Sequence, residues 1–395
     1  MPKVLIISYF FPPLGSSQRA LKFVKFLSNF GWEPFVIAPK TSNYLRRDFT
    51  MEKEIPTQCR VIRLPFSEKL PGNPLVTEED FKSGWYEGAI EEGLKIIKEE
   101  NIDIIYTSSA PYISHIVGKE LKDKTNVPWI ADFLDEWTTN PFIINNHPEE
   151  TMDFNQKLEK EVLNNADGII SVCDTITDTL FQLSEQTSKH KFHTIMNGYD
   201  SEDFYNIITN EVNEKFRLCY MGSLYGMINT LAEEFFQHLE RFILQKKIPR
   251  NEIELLMVGD SYKKDKLNIS RHTGYVSHQT AINYASTADL LLLFIHPGQG
   301  NQTVTSKLYE LINLKKPILG IVPPYGEAAD IIRKTQTGIV VDSRHPEKAI
   351  SCLIWYFNKW KVGKNAITPN LEEIEKHDRK KQTEHLAAIM NSIKK

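Results

Sequence analysis

Short apolar runs alternate along the chain with longer segments in which apolar residues recur about every 3.6 positions. The runs at residues 4–7 and 290–294 are apolar at every position, which is typical of strands buried on both faces of a parallel sheet. The segments between such runs predict amphipathic helices. Strands that alternate with helices need crossover connections, so the pattern predicts an α/β fold built from parallel sheets.

The alternation falls into two halves. In the first half, strands are predicted at 4–8, 35–38, 61–64, 103–107, 129–133 and 168–172. One helix is predicted to end at Gly31, and others are predicted near 86–100, 112–124 and 152–165. In the second half, strands are predicted at 218–221, 253–258, 290–294, 317–322 and 338–341, with helices near 229–245, 278–286, 306–314, 346–361 and 370–393.

Residues 200–215 are polar and weakly periodic, so they predict a linker between two domains of similar size. We expect an N-terminal Rossmann-like domain over 1–205 and a C-terminal Rossmann-like domain over 206–365. The charged segment 366–395 predicts a C-terminal helix that can pack back on the N-terminal domain. Ligands of such sheets bind outside the carboxyl ends of the strands, so two facing sheets predict a cleft between the domains.

Composition narrows the classes of function. Of the 395 residues, 41% are apolar and 25% charged, as in a packed globular protein. The 47 basic and 51 acidic residues give a net charge of −4, and without a basic excess we expect no nucleic-acid partner. The four cysteines lie far apart without a CxxC pair, which argues against a metal site or a disulfide framework and favours a reduced, cytoplasmic location.

Neither a membrane-spanning helix nor a secretory leader is expected, because no run of 18 apolar residues occurs and the first residues lack a leader pattern. Lys246, Lys247 and Arg250 follow apolar residues. They fit either a peripheral contact with the inner face of a membrane or the solvated end of a helix.

The first candidate site is the turn after the first strand. Gly15 and Ser16 would let the backbone approach a ligand, the N–H groups of the next helix attract anions, and Arg19 adds a positive charge. An ordinary strand–helix turn explains the same residues equally well. A similar turn, at Gly222 and Ser223, opens the second half of the chain. Neither turn has the GxGxxG or P-loop pattern.

The second candidate site is the start of the helix predicted near 306–314. Thr305 or Ser306 is a suitable N-cap, with N–H groups behind it. The helix dipole disfavours Lys307 in the first turn by a few tenths to about 1 kcal/mol, which is understandable if an anion binds there. Glu310, one turn later, could accept hydrogen bonds from sugar hydroxyls. The alternative is a solvated Lys307 and a surface ion pair of Glu310.

Carboxylates follow the strand predicted at 129–133. Asp132 and Asp135 could each accept a proton or hold a hydroxyl, or could cap the next turn. His115 and His278 stand alone in the sequence, and an isolated histidine is more often structural than catalytic.

Taken in order, several segments resemble the large GT-B glycosyltransferase family usually called family 4. They cover nearly the whole chain, and each alone would be weak evidence. The segments are PPLGSSQR at 12–19, DFLDEW at 132–137, NGYD at 197–200, GYVSH at 274–278 and SKLYE at 306–310.

The resemblance implies a GT-B fold, with two Rossmann-like domains facing across a cleft. The domain over 1–205 would bind the acceptor, and the domain over 206–365 would bind the nucleotide sugar. It also implies a retaining, hexosyltransferase-type glycosyltransferase that moves a sugar from a nucleotide-diphosphate sugar to a hydroxyl acceptor, in polysaccharide, glycolipid or glycoconjugate synthesis. The favoured donor is a UDP-sugar, the acceptor is a glycan, a lipid-linked molecule or a small molecule, and neither a metal nor a cofactor is needed.

The resemblance further implies a role for each matching residue. The donor diphosphate would be held by Gly15, Ser16, Arg19, Gly222, Ser223, Thr305, Ser306 and Lys307. The nucleoside would be held by Tyr275, Val276 and Glu310, and the donor sugar by Asn301, Gln302 and Thr303. The catalytic candidates are Asp135, Asp132 and Lys307, the two carboxylates for activating the acceptor and the ammonium for stabilising the leaving diphosphate.

Three departures from the family pattern leave other functions open. Gln302 stands where the family has a glutamate, residues 222–229 lack a basic residue, and Leu134 replaces an arginine. A catalytically inactive GT-B-like binding or scaffold subunit is one alternative. A GT-B epimerase acting on the sugar nucleotide itself is the other.

Overall fold

The computed structural model describes residues 1–14, 18–40, 47–65, 75–144, 146–205, 207, 213–224, 226–260 and 269–394. The chain divides into two compact units. The first contains Met1–Asn197 together with Arg379–Lys395, and the second contains Gly198–Asp378. Each unit is built on one sheet whose strands all pair in parallel, which confirms the predicted α/β class with two parallel sheets.

The strands of the first unit are β1 (Lys3–Ser8), β2 (Glu33–Pro39), β3 (Arg60–Leu64), β4 (Ile104–Ser108), β5 (Trp129–Phe133), β6 (Gly168–Ser171) and β7 (Phe192–Thr194). Its helices are α1 (Gln18–Leu27), α2 (Glu78–Phe81), α3 (Trp85–Glu100), α4 (Ile113–Thr125), α5 (Pro141–Ile144), α6 (Glu149–Asn165) and α7 (Asp174–Leu183), joined by the last helix of the chain. The strand order is β3-β2-β1-β4-β5-β6-β7.

Strand β1 shows why the sheet must be covered on both faces. Val4 and Ile6 point into one core cluster, and Leu5 and Ile7 point into the other. All four are at most 1% exposed. A strand with side chains alternating between two buried faces needs an apolar residue at every position, as its sequence has.

The strands of the second unit are β8 (Phe216–Met221), β9 (Ile253–Val258), β10 (Ser270–His272), β11 (Leu290–Phe294), β12 (Ile318–Val322) and β13 (Gly338–Asp342). Its helices are α8 (Gly226–Leu244), α9 (His278–Ser286), α10 (Ser306–Asn313), α11 (Glu327–Lys334), α12 (Ala349–Lys361) and α13 (Leu371–Glu375). The strand order is β10-β9-β8-β11-β12-β13.

The final segment of the chain differs from the single helix predicted at 370–393. Its first part, α13, belongs to the second unit, and its second part, α14 (Arg379–Ile393), packs with α1 in the first. The break has a backbone cause, because Tyr199 N donates to His377 O and Tyr199 pairs with Asp378 in a β-bridge. Extended pairing at these positions is incompatible with a continuous helix.

In both sheets the strand order reverses once. The reversal lies between β1 and β4 in the first unit and between β8 and β11 in the second. Successive crossovers on either side of a reversal leave a crevice at the carboxyl ends of the strands, where ligands of open α/β sheets bind. The loops after these four strands are therefore the place to look for a site in each unit.

Candidate functional site

In the second unit, Lys307 lies against the turn that follows β8. Its Nζ is 3.3 Å from the hydroxyl of Tyr220 and 5.0 Å from the centre of that ring. A Cβ added to Gly222 would lie 2.3 Å from the same Nζ, and the φ of Gly222 is +124°. The backbone angle therefore favours glycine at this turn, and the Lys307 ammonium occupies the space that a Cβ would take. The structure thus brings together Gly222 and Lys307, which lie 85 positions apart in sequence.

The turns after β8 and β9 support each other through their backbones. Gly222 N donates to Val258 O over 2.7 Å, and a Cβ on Gly259 would lie 2.7 Å from Gly222 O. Ser223 O accepts a hydrogen bond from the Tyr220 hydroxyl at 3.3 Å. These contacts fix the position of the turn that Lys307 faces.

Helix α10 begins beside this turn. Thr305 is its N-cap residue, with extended φ and ψ and no side-chain capping hydrogen bond. Ser306, the first residue of the helix, is exposed. The N-terminus of a helix carries partial positive charge on its N–H groups, and here the Lys307 ammonium adds a full charge. Together they favour an anion such as a phosphate group.

Glu310 lies on the same helix, one turn after Lys307, and has a partner that the sequence did not indicate. Its Oε1 is 2.7 Å from Nε2 of His278, the first residue of α9, whose Nδ1 is 3.8 Å from Asp203 Oδ2. The structure therefore groups Glu310 with the start of α9. Tyr275, which is 47% exposed, lies three residues before that start. Nothing in the spacing of His278 and Glu310, 32 positions apart, could have revealed the pair.

The residues expected to hold the donor sugar lie in the loop between β11 and α10. The Thr303 hydroxyl donates to Gln299 O at 2.6 Å, and Asn301 O accepts from Glu327 N at 2.9 Å. The φ of Gly300 is +89°, so this loop also favours a glycine. Val276, expected at the nucleoside, is partly buried. The sugar and nucleoside contacts of these residues stay predictions.

In the first unit, the surroundings of Arg19 favour a structural role over the expected contact with a diphosphate. The side chain is buried, and Nε and Nη2 donate to the two Asp132 oxygens at 2.6 and 2.8 Å. Nη1 donates to Met196 O and to Asn197 Oδ1. The guanidinium also lies 5.0 Å from the Phe23 ring centre. Gly15 and Ser16, the other residues expected at this turn, lie outside the described residues.

The same contacts remove Asp132 from the candidates for a catalytic base. Its side chain is fully buried and accepts both Arg19 hydrogen bonds, and the Tyr106 hydroxyl also donates to it. A fully buried carboxylate whose oxygens are occupied by an arginine and a tyrosine hydroxyl has no access to a substrate proton. Tyr106, on β4, is a partner for which the sequence contains no signal.

Asp135 has the opposite environment. It is exposed and lines a cavity of about 170 Å³ at the reversal between β1 and β4, together with Ser8, Phe10, Ser108, Ser109 and Leu134. Desolvation by the surrounding protein, with a smaller contribution from the Glu136 charge, raises the pKa of Asp135 to about 6. A solvent-accessible carboxylate with a raised pKa is typical of a general acid or base.

Comparisons with known proteins agree with this geometry. Residues 15–198 match the model of the glycosyl transferase 4-like domain. Among curated proteins, no sequence matches the chain. Within the described part of the chain, no helix is long and apolar enough to cross a membrane.

Solved structures match both units over almost their full length. A glycosyltransferase from Rickettsia africae is 15% identical, with a TM-score of 0.61, and the match covers 99% of this chain and 96% of that one. An alpha,alpha-trehalose-phosphate synthase (UDP-forming) from Burkholderia vietnamiensis is 10% identical, with a TM-score of 0.63 and coverages of 99% and 100%. A UDP-GlcNAc 2-epimerase from Methanocaldococcus jannaschii is 11% identical, with a TM-score of 0.58 and the same coverages. The chain therefore has the GT-B fold, and its residues 15–198 match the glycosyl transferase 4-like domain.

Proposed function

We propose that the protein is a retaining glycosyltransferase that transfers a hexosyl group from a UDP-sugar to a hydroxyl acceptor. The observation that carries the proposal is the Lys307 ammonium held against Gly222, beside the start of α10 and at the reversal of the second sheet. The family match of residues 15–198 supports a transferase. The UDP-forming synthase among the similar structures favours uridine as the nucleoside.

The donor half of the reaction needs positive charge where the diphosphate leaves. As the glycosidic bond breaks, negative charge grows on the diphosphate oxygen. Lys307 and the N–H groups at the start of α10 are preorganised to stabilise that charge, and removing one such donor typically costs about 3–4 kcal/mol of transition-state stabilisation. Glu310, positioned by His278, would accept hydrogen bonds from the ribose hydroxyls.

The acceptor half needs a group that can take a proton from the attacking hydroxyl. We assign this role to Asp135, because it is exposed to a cavity and Asp132 is not available. With a pKa of about 6, Asp135 is ionised at neutral pH and accepts a proton more readily than an ordinary aspartate. Transfer should then rise with pH through about 6 and level off above it, and Asp135→Asn should remove this limb of the profile.

The test begins with donor binding and hydrolysis. Calorimetric titration with UDP-, GDP-, TDP- and ADP-sugars should find a UDP-sugar that binds most tightly, and the enzyme should slowly release free sugar from it. Lys307→Ala should weaken binding about ten- to hundredfold, the range for a charge-assisted hydrogen bond. The matched control is Lys359→Ala, which removes an ammonium that also lies over an aromatic ring, 5.3 Å from Trp355, but on α12.

Three results would overturn parts of this proposal. Equal UDP affinity in the Lys307 and Lys359 variants would remove the assigned diphosphate site. Binding without hydrolysis or transfer of any donor would favour the inactive binding subunit. A C2 epimer formed in the absence of acceptor would favour an epimerase, the activity named for one of the similar structures. Proton NMR of the first transferred product would show whether the anomeric configuration is retained.

A further inference from the structure

Two side chains one turn apart on α6 hold the segment that follows Asp135. Asn155 Oδ1 accepts the indole N–H of Trp137 at 2.9 Å. Glu159 Oε2 accepts the backbone N–H of Thr138 at 3.2 Å and also the Thr138 hydroxyl. Residues four apart on a helix lie on one face, so α6 accepts hydrogen bonds from two consecutive residues of the segment on the same side.

A third buried group holds the same segment from the start of α4. The Tyr112 hydroxyl donates to Glu136 O at 2.7 Å and lies 3.3 Å from Asp135 O. Its ring stacks on Trp137, with the ring centres 4.5 Å apart and the planes at 2°. The backbone that carries Asp135 is therefore fixed by contacts to two helices. Of the two α6 side chains that make these contacts, Asn155 and Glu159, only Glu159 is ionisable.

Glu159 is an unusual group for a purely structural contact. It is 2% exposed, and within the described part of the chain its Oε1 has no hydrogen-bond partner and its carboxyl pairs with no lysine or arginine. The neighbouring titratable groups are the Glu136 carboxylate, whose charge opposes ionisation of Glu159, and the Tyr112 hydroxyl. Desolvation, with Glu136 adding to it, raises the pKa of Glu159 to about 7 despite hydrogen bonds from Thr138 and from the backbone N–H of Trp137.

We propose that Glu159 is a positioning residue for Asp135, which holds Thr138 through Oε2 while a proton resides on Oε1. This inference rests on the proposed function only because that function assigns to Asp135 the activation of the acceptor hydroxyl. A buried, uncompensated negative charge is far costlier than a neutral carboxyl, so ionisation of Glu159 destabilises the folded protein even though the Thr138 hydrogen bonds favour the charged form. The two carboxyls then titrate in overlapping ranges, Asp135 exposed at the cavity and Glu159 buried behind it.

The contact itself is tested without any enzyme assay. In the full chain labelled with 15N-tryptophan, the indole N–H resonance of Trp137, assigned with Trp137→Phe, should shift with pH with a midpoint near 7. Glu159→Gln keeps the acceptor oxygen and removes the ionisation, so it should abolish this transition. The matched control, Glu161→Gln, removes a carboxylate from an exposed position of the same helix and should leave the transition in place. An unchanged transition in Glu159→Gln, or none in the wild type, overturns the proposal.

The positioning role is tested on Asp135. Glu159→Ala should lower kcat about ten- to hundredfold without changing the donor affinity, because small displacements of a reacting group cost rates of that order. Glu159→Gln should restore most of the loss, which a mere defect in folding would not allow. If no variant, the wild type included, has any activity, the proposed function fails, and carboxyl 13C titration decides the present inference instead. Glu159→Ala should then shift the apparent pKa of Asp135, and identical titrations in both proteins overturn the role.

Discussion

Replacing Arg19 by alanine distinguishes the role implied by the family resemblance from the one favoured by the structure. If Arg19 held the donor diphosphate, the variant would lose nucleotide affinity and keep its stability. If the side chain serves the ion pair with Asp132, the variant will lose stability and keep its nucleotide affinity. The two expectations are opposite, so a single variant separates them.

The size of the expected loss follows from the contacts. Both partners are buried, and the guanidinium donates to both carboxylate oxygens at 2.6 and 2.8 Å. Removing one partner of a buried ion pair typically costs about 3–5 kcal/mol, because the other charge stays buried. For a unit of this size, each kcal/mol lowers the melting temperature by about 2–4 °C, so the first unit should melt about 6–20 °C lower.

Differential scanning calorimetry with and without UDP measures both quantities. The transition of the first unit should move down, while UDP affinity measured well below that transition should equal the wild-type value. Arg19→Lys keeps the charge but loses the paired hydrogen bonds to the carboxylate. Its transition temperature should lie between those of the wild type and Arg19→Ala. Arg19→Met with Asp132→Leu removes both charges and should recover much of the stability. A stable Arg19→Ala protein that has lost UDP binding would refute this reasoning.

Three other substitutions carry expectations of known sign. Gly222→Ala strains a φ of +124° and displaces the Lys307 ammonium, so calorimetry should find UDP bound at least about tenfold more weakly. Because the folded-state pKa of Glu159 is raised from 4.5 to about 7, its ionisation lowers the free energy of unfolding progressively between those pH values and by about 3 kcal/mol above them. Urea unfolding at pH 5 and pH 8 should show this decline in the wild type, and the decline should be smaller in Glu159→Gln, where only other groups with a raised pKa such as Asp135 still contribute. Gly118→Ala would place Cβ 2.5 Å from the indole Nε1 of Trp129, so urea unfolding should show a loss of about 1–3 kcal/mol even though alanine favours helix.

The elements that the sequence predicted well have a local cause. The strand at 129–133 and the helix at 278–286 match β5 and α9 in both bounds. A strand covered on both faces must be apolar throughout, and a surface helix must have apolar residues about every 3.6 positions. Both patterns are therefore contained within the segment itself. The prediction omitted the helices α2, α5, α7 and α11 and the strands β7 and β10. Each of these two strands is only three residues long, too short to establish a period.

The residues of the second-unit site were also within reach of the sequence. A lysine in the first turn of a helix conflicts with the helix dipole, and this local conflict singled out Lys307. A glycine directly after a strand marked Gly222 in the same way. The family resemblance placed both at one diphosphate. Their direct contact depends on the strand order β8-β11, which brings the ends of these two strands together.

The roles of the carboxylates depended on the tertiary structure alone. Asp132 and Asp135 are three residues apart and equally plausible as bases in the sequence, yet one is paired with Arg19 and the other is open to a cavity. Glu159 had no signal at all. The free energy of a charge in a protein depends on its distance from partners and from water, and those distances are set by residues remote in sequence. The sequence by itself therefore determined the fold class and the strand ends where chemistry is possible, and the folded structure decided which side chains are free to perform it.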